Sequence, residues 1–521
     1  MQSFIDRFKG SISGVITGFD RIVFKGMLRP LLYVDGVMAF LDRRNIRNKD
    51  FRERMQCQTA ALVQSAESCA RAQPNSDRVL PLSSYRLRKE KLAHKRQQAL
   101  GIQEGLIGVW SCKEMGKTYR AYFDRGAKMP ALRHYNVPLK HLYFYFDHAD
   151  HGFMNVRLQT WFPYHIQICM NGREWLRRSL ENESIGHLRE KNKFLDIDNY
   201  PRAQELLNSQ LDHRWPEALD SFLPVVFPTM HSAVGDMRYY WTLWQSEWAT
   251  DIIFHKPEQI KPHINALCRH AFLSGTSERV MTYLGHRLTK SANPYPNFKK
   301  DVVTRVNGFH DGARVRHWVG KNSVKVYNEY NVLRVETTVN DPGAFKVLRH
   351  TSGDAPDAPK QIRPLRKGIV DIPLRAAVSG DVNNRFLDNL TQFSDPEPVG
   401  ELFDTVARRF KRDGRSVRAL DLFGKDHEFL KLLADPNIEI NGISNKELRQ
   451  GLSKTRWGKG KTDKQLSAKI SRQFRLLRDH GLLRKQPGRH RYNLTSRGRK
   501  LMLSLSSIPA CSVEKLMEIA A

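Results

Sequence analysis

Two carboxylates, Glu247 and Asp251, stand four residues apart in WQSEWATDIIF. On a helix that spacing puts both on one face, about 6 Å apart at Cβ, where like charges repel unless a cation bridges them. Trp241, Trp244, Trp248 and Ile252 around them predict partial burial, which raises the cost of leaving the charges unpaired. Asp20, at the start of the strand-like RIVF, and Glu336 are further candidate ligands, contributed from strands. Two or three carboxylates around Mg²⁺ is the usual arrangement for metal-assisted phosphodiester chemistry. The expected metal ligands are thus Asp20, Glu247 and Asp251, with Mg²⁺ as the cofactor. The competing reading pairs the two helical carboxylates with separate arginines.

A second group lies in NSVKVYNEYNVLRVETTVND, two alternating runs around a candidate four-residue turn, Asn328-Glu329-Tyr330-Asn331. Pairing Tyr327 with Val332 sets Val326 against Leu333 and Val324 against Val335 as an apolar face. The other face then carries Lys325 opposite Arg334 and Ser323 opposite Glu336, with Tyr327 beside them. Two facing cations repel unless Glu336 or a bound phosphate lies between them. A tyrosine beside a carboxylate and cations is also the equipment for a phosphotyrosine intermediate. Tyr327, Glu336, Lys325 and Arg334 are the candidate catalytic residues; a solvent-facing hairpin with an ordinary cross-strand ion pair fits the same pattern. The order Lys-x-Tyr then Leu-Arg-x-Glu resembles a segment of some plasmid and phage rolling-circle replication initiators, which implies nicking through the tyrosine. Those proteins pair their tyrosine with a His-hydrophobic-His metal motif. His141 and His148 in HLYFYFDH do not have that spacing, and TWFPYHIQI does not supply it. His148, His151 and His165 show no metal-ligand spacing, and His-Ala-Asp-His reads first as a turn.

The C-terminal residues hold a compact basic module. Ser444 is a plausible N-cap for a short helix, ISNKELRQGL. In DKQLSAKISRQFRLLRDHG, Leu466, Ile470, Phe474 and Leu477 form one stripe, and Gly481 stops the helix. A strand, a turn at Pro487-Gly488, a second strand and a helix from Thr495 follow. Helix, helix, hairpin, helix is the winged-helix order. Ser467, Lys469, Ser471, Arg472 and Arg475 lie off the apolar stripe, where a recognition helix meets bases or phosphates. Lys485, Arg489 and Arg491 sit on the wing, suited to backbone or minor-groove contact. Residues 441–500 contain 18 Lys+Arg and 3 Asp+Glu. LLRDHGLLRKQPGRHRYNLTSRGRKL resembles the recognition-helix end and wing of MarR- and ArsR-type bacterial regulators, which implies nucleic-acid binding. A winged helix can also serve as a dimerisation module.

Composition agrees with a polyanionic partner. The 521 residues hold 85 Lys+Arg against 54 Asp+Glu, a net charge of +31. Such an excess repels itself unless phosphates neutralise it. DNA is the expected partner, and RNA, as in ribonucleoprotein or ribosome association, would call for the same charge. No apolar run is long enough to span a bilayer, so no membrane partner is expected. The N-terminus lacks the apolar stretch of a secretory signal. Six scattered cysteines without a C-x-x-C pair fit a reducing cytoplasm, here a nucleoid-associated protein. A homo-oligomer is compatible with all of this.

The elements that must position these groups read as an α+β, multidomain chain. Residues 1–104 form an α/β segment with strand-like GVITGFDRIVFKGML and a basic helix. Residues 105–350 form the α+β body with the candidate active site: strands over 105–170, helices to about 290, then strands over 300–340. Residues 351–435 are a linker and helical segment, and 436–521 the winged helix. Alternating aromatics in the first strands fill a sheet core or stack exposed bases. GFDRIVFKG, LQTWFPYHIQICMNGREWL, EWATDIIF and VYNEYNVLRVETTVND resemble large bacterial proteins associated with mobile elements. The expected function is DNA binding through the winged helix with metal-dependent cutting or nicking in the body. The alternatives are a non-catalytic transcriptional regulator and a structured-RNA-binding component.

Overall fold

Alternation of apolar and polar residues along extended segments builds one large sheet with two unlike faces. A computed structural model describes residues 1–72, 79–82, 89–126, 128–285, 302–309, 312–350, 359–391, 399–435, 438, 442–486 and 490–507. The sheet strands are β1 (Ile12–Met27), β2 (Leu80–Pro81), β3 (Gly105–Asp124), β4 (Met129–His148), β5 (Gly152–Gln159) and β6 (Ile166–Asn171). A small separate hairpin, β7 (His187–Glu190) and β8 (Lys193–Ile197), intervenes before β9 (Tyr240–Phe254). The remaining sheet strands are β10 (Val302–Phe309), β11 (Gly312–Val319), β12 (Asn322–Glu329) and β13 (Val332–Val339). Their order is β10-β11-β12-β13-β9-β1-β6-β5-β4-β3-β2. Every pairing is antiparallel except that of β2 with β3. The α+β class expected from the sequence is the one observed.

One face of the sheet is the core. Phe144, Val156, Ile168 and Phe24 pack with the helices Val34–Arg43 and Phe51–Arg71. At the other end Ile252, Val324, Val326, Leu333 and Val335 pack against Lys261–Leu273 and Ile372–Leu390. The last helix, which the sequence places in a linker segment, is therefore part of the core: Val382, Phe386, Leu387 and Leu390 are fully buried. The opposite face is covered only in part. Helices Gly172–Asn182 and Tyr200–Asn208, with the β7–β8 hairpin, close over Ile16, Ile253 and Val332. Asn171 caps the first of these helices by accepting from the Arg173 and Glu174 amides. A Cβ on Gly172 would lie 2.1 Å from the Phe19 carbonyl oxygen, so only glycine lets this helix start so close to β1.

The expectation of helix through residues 240–254 is corrected: this segment is β9, at the centre of the sheet. The spacing of Trp241, Trp244 and Trp248 imitates a helical stripe. The period-two signal is broken by register shifts against β1 and blurred by burial on both sides.

Residues 399–507 share a further core, joining Leu402, Val406, Phe429 and Leu433 to Leu448, Leu466, Ile470, Phe474, Leu477 and Leu501. Ser444 and Thr462 each head a helix (Asn445–Leu452 and Asp463–Asp479) with a reciprocal capping box. The short strands Ile443–Ser444, Leu483–Lys485 and Arg491–Leu494 form an antiparallel sheet, followed by the helix Ser496–Ser507. The turn at Pro487-Gly488 and the wing residue Arg489 lie outside the described residues. Among the described residues no helix is long and apolar enough to cross a membrane.

Candidate metal centre and nucleic-acid interface

The uncovered part of the polar sheet face holds the candidate site. A register shift between Phe19 and Arg21 leaves Asp20 as an extra residue in β1 opposite β9. Such a bulge re-aims side chains, and here Asp20 reaches the polar face. Arg21 pairs with Glu247, Glu336 lies opposite Ala249, and Thr338 opposite Glu247. Three neighbouring strands thereby bring Asp20, Glu247 and Glu336 together, with one ligand oxygen from each within 4.8 Å of the others. Asp20 and Glu336 are buried, and Glu247 is half-buried and forms the mouth of the cluster.

Each buried member is held from behind. Asn192, in the β7–β8 turn, donates to Asp20 Oδ1, and Arg334 Nη1 lies 3.2 Å from Asp20 Oδ2. Lys325 Nζ stands 2.5 Å from Glu336 Oε1, and the Tyr327 hydroxyl donates to Glu336 Oε2 at 3.5 Å. No described side chain hydrogen-bonds Glu247. Burial raises its carboxyl first, and the charges of Glu336 and Asp20 add to this, pushing it up to about 7. A divalent cation among the three would relieve that repulsion.

Asp251 is not in this cluster. Its two oxygens accept from Arg334 at 2.5 and 2.8 Å, and Arg173 approaches within 2.9 Å, all at zero or 1 % exposure. Burial alone would raise the Asp251 carboxyl; the Arg334 and Arg173 guanidiniums overcome it and hold it below the ordinary value. Of the candidate ligands, the structure groups Asp20, Glu247 and Glu336 and sets the expected Asp251 apart from them, where it anchors the arginine that lies beside Asp20. Nothing local in the sequence marks Arg173 or Asn192 for these roles, because they arrive from elements that fold over the sheet.

The hairpin register is also corrected. Glu329 pairs with Val332, so the turn is the two residues Tyr330-Asn331, with Tyr330 at φ 58°. The slip of two keeps every side chain on its expected face but sets Lys325 opposite Glu336 and Tyr327 opposite Arg334. The repulsion expected between Lys325 and Arg334 is thereby removed. Tyr327 is buried, and burial pushes its hydroxyl well above the ordinary tyrosine value. Attack by this oxygen would require the ring to leave its packing against Phe309, at a centroid distance of 4.9 Å. Arg334 is 1 % exposed, which suits positioning of carboxylates rather than contact with a ligand.

Cations flank the cluster on the same face. Arg316 feels the charges of Glu336 and Glu247, and Arg21 that of Glu247. Beyond Arg21 a pocket is lined by Lys89, Glu114, Tyr143, Arg157 and Cys169. Burial would raise Glu114, but hydrogen bonds from Tyr143 and Lys89 and the Arg157 charge bring it to about 2. Of the strand aromatics, Phe144 and Phe146 fill the core while Tyr143 and Tyr145 line this pocket's side. His148 and His151 stack at 4.8 Å in a ring cluster with Trp215.

In the C-terminal module Arg472, Arg475 and Lys485 are exposed. Ser471 is exposed and accepts from Asn445, to which Ser467 also donates. Lys469 is engaged internally: it donates to the Trp457 carbonyl and lies 3.6 Å from that ring's centroid. Arg491 donates to Glu447 and to the Gly442 carbonyl, tying the hairpin to the first helix. Comparison with family models, with curated proteins and with solved structures gives no match.

A pH dependence follows from Glu247. Its raised carboxyl favours the protonated native state, so this contribution to stability is present below the ordinary value of 4.5 and is lost as pH rises through about 7. Metal-free protein is expected to lose melting temperature over that window, and added Mn²⁺ to restore it increasingly as pH rises. Differential scanning fluorimetry of the parent and Glu247→Gln measures this; the metal-induced rise should be absent from the variant.

Proposed function

We propose that this protein binds nucleic acid and processes a strand by divalent-metal-assisted phosphodiester chemistry at Asp20, Glu247 and Glu336. The observation that carries the reading is the convergence of these three carboxylates, from three adjacent strands, on a face otherwise rich in Lys and Arg. A divalent ion such as Mg²⁺, when bound, would supply Lewis-acid polarisation of a phosphodiester oxygen and lower the pKa of a water. Asp20, Glu247 and Glu336 would hold the ion, Arg334 and Asn192 fix Asp20, and Lys325 orients Glu336 and would meet a phosphate. The burial of Tyr327 favours water over a tyrosine as nucleophile. The C-terminal module supplies a duplex-binding surface as a winged helix, with Arg472 and Arg475 on its exposed helix and Lys485 on its hairpin. The likeness to mobile-element proteins fits such a two-part design.

Incubating the protein with labelled single- and double-stranded DNA and RNA, with Mg²⁺ or EDTA, tests the proposal. Metal-dependent cuts without a covalent adduct are expected. An adduct lost in Tyr327→Phe would replace the metal-assisted step with a tyrosine one, and tight duplex binding without cleavage would make the protein a regulator. Arg472→Gln with Arg475→Gln is expected to weaken duplex binding and to flatten the slope of log affinity against log salt by about 2, near 0.9 per phosphate contact. Fluorescence anisotropy across a salt series measures it; an unchanged slope removes this helix from the interface.

A further inference from the structure

The long β3–β4 hairpin carries a cation–aromatic ladder that the metal cluster does not use. β5 pairs only with His141–His148 of β4, so the outer part of the hairpin runs on as two strands. Between residues 116 and 140 it has six Lys+Arg and one Asp. Arg120 and Arg133 lie directly opposite one another. Two like charges in that register repel, and neither has a hydrogen-bond or ion-pair partner among the described residues. Instead each stacks on a tyrosine: Arg120 lies 5.6 Å from the Tyr135 ring centroid and Arg133 5.3 Å from that of Tyr122. Both tyrosines are exposed, 41 % and 37 %.

These four side chains continue the register of the face that bears Tyr143 and Glu114, which is the face of the metal cluster. On the same side of the sheet, beneath Lys25, is Trp244, three residues from Glu247 in β9 and 40 % exposed. Lys25 and Lys367 flank its ring at 4.6 and 3.9 Å. Burial first, then the nearby Lys117 and Arg157, pulls Lys25 below its ordinary value, so the positive charge here is crowded.

We infer that Trp244 and the Tyr122–Arg133–Arg120–Tyr135 ladder form a track for single-stranded nucleic acid that leads to the metal cluster. This rests on the nucleic-acid reading above and names its substrate as a single strand. Exposed rings interleaved with unpaired arginines suit such a strand: bases stack on the rings and phosphates neutralise the cations. A duplex hides its base faces and gains only the second term.

The test uses full-length protein in EDTA with a fluorescein-labelled oligothymidylate and a duplex of equal length, read by anisotropy. Tyr122→Leu with Tyr135→Leu is expected to lower single-strand affinity about tenfold or more while duplex affinity stays within twofold. Arg120→Gln with Arg133→Gln should flatten the single-strand salt slope by about 1.4, at roughly 0.7 per phosphate. In Trp244→Leu the quenching of intrinsic fluorescence on single-strand binding should shrink. Single-strand binding unchanged in all three variants overturns the track and leaves the metal centre standing. Equal losses for duplex and single strand overturn the single-strand assignment. Competition by polyglutamate as strong as by oligothymidylate makes the ladder a site for acidic protein. A parent that binds no nucleic acid overturns both readings.

Discussion

Replacing Glu247 and Glu336 together by glutamine is expected to abolish metal-dependent strand cleavage while leaving nucleic-acid binding in EDTA intact. The substitutions keep shape and remove two of the three charges that would hold a cation. With Asp20 alone, a hard divalent ion loses the carboxylate set it needs to displace water. Cleavage of a labelled strand should fall by at least three orders of magnitude, the scale of losing a Lewis acid worth several kcal/mol at the reacting oxygen. Glu247→Gln alone also removes a charge that burial first, and the Glu336 and Asp20 charges second, disfavour, so it should stabilise the metal-free protein at neutral pH while lowering metal-dependent cleavage. That opposition of stability and activity distinguishes a ligand from a structural glutamate. Asp251→Asn should give the contrary signature, with lower stability and cleavage reduced in proportion to the folded fraction.

Arg334→Met is expected to be the most destabilising single change in the site. Arg334 is buried and serves two carboxylates at once, bidentate on Asp251 and 3.2 Å from Asp20. Removing it leaves Asp251 paired with Arg173 and Asp20 with Asn192 among the described residues. Breaking a buried pair from one side costs about 3–5 kcal/mol, because the remaining charge keeps its desolvation penalty. Urea unfolding should show that loss. Arg334→Met with Asp251→Leu should recover much of it, since both partners of that pair are then apolar. A loss below about 1 kcal/mol in the single variant would mean that Arg334 is not the anchor of this site.

Much of the site's chemistry is legible in the sequence, and its geometry much less so. Asp20, Glu247 and Glu336 are all recognisable as carboxylates among apolar neighbours, Asp20 and Glu336 on expected strands and Glu247 on an expected helix. What decides between Glu336 and Asp251 is the bulge at Asp20, the cross-strand pairing of Arg334 with Asp251, and the approach of Arg173 from the overlying helix, none of which has a local signature. The hairpin faces were readable because alternation survives a slip of two; the register was not, because a four-residue turn and a two-residue turn fit NEYN equally well. β9 reads as helix in the sequence because tryptophans at three- and four-residue spacing outweigh a period broken by bulges. The N-cap at Ser444, by contrast, is a local signal, and the helix start it predicts is where the structure has it. The arginine ladder on β3–β4 needs cross-strand pairing to be seen, since Arg120 and Arg133 are thirteen residues apart and meet only in the folded register.

The most direct test of the metal centre is an anomalous difference map at the manganese edge from crystals soaked in Mn²⁺ above pH 7, where Glu247 is ionised. The expected result is a peak bounded by carboxylate oxygens of Asp20, Glu247 and Glu336, absent from Glu247→Gln crystals treated alike. No peak among these three residues, or an equal peak in the variant, would contradict the account.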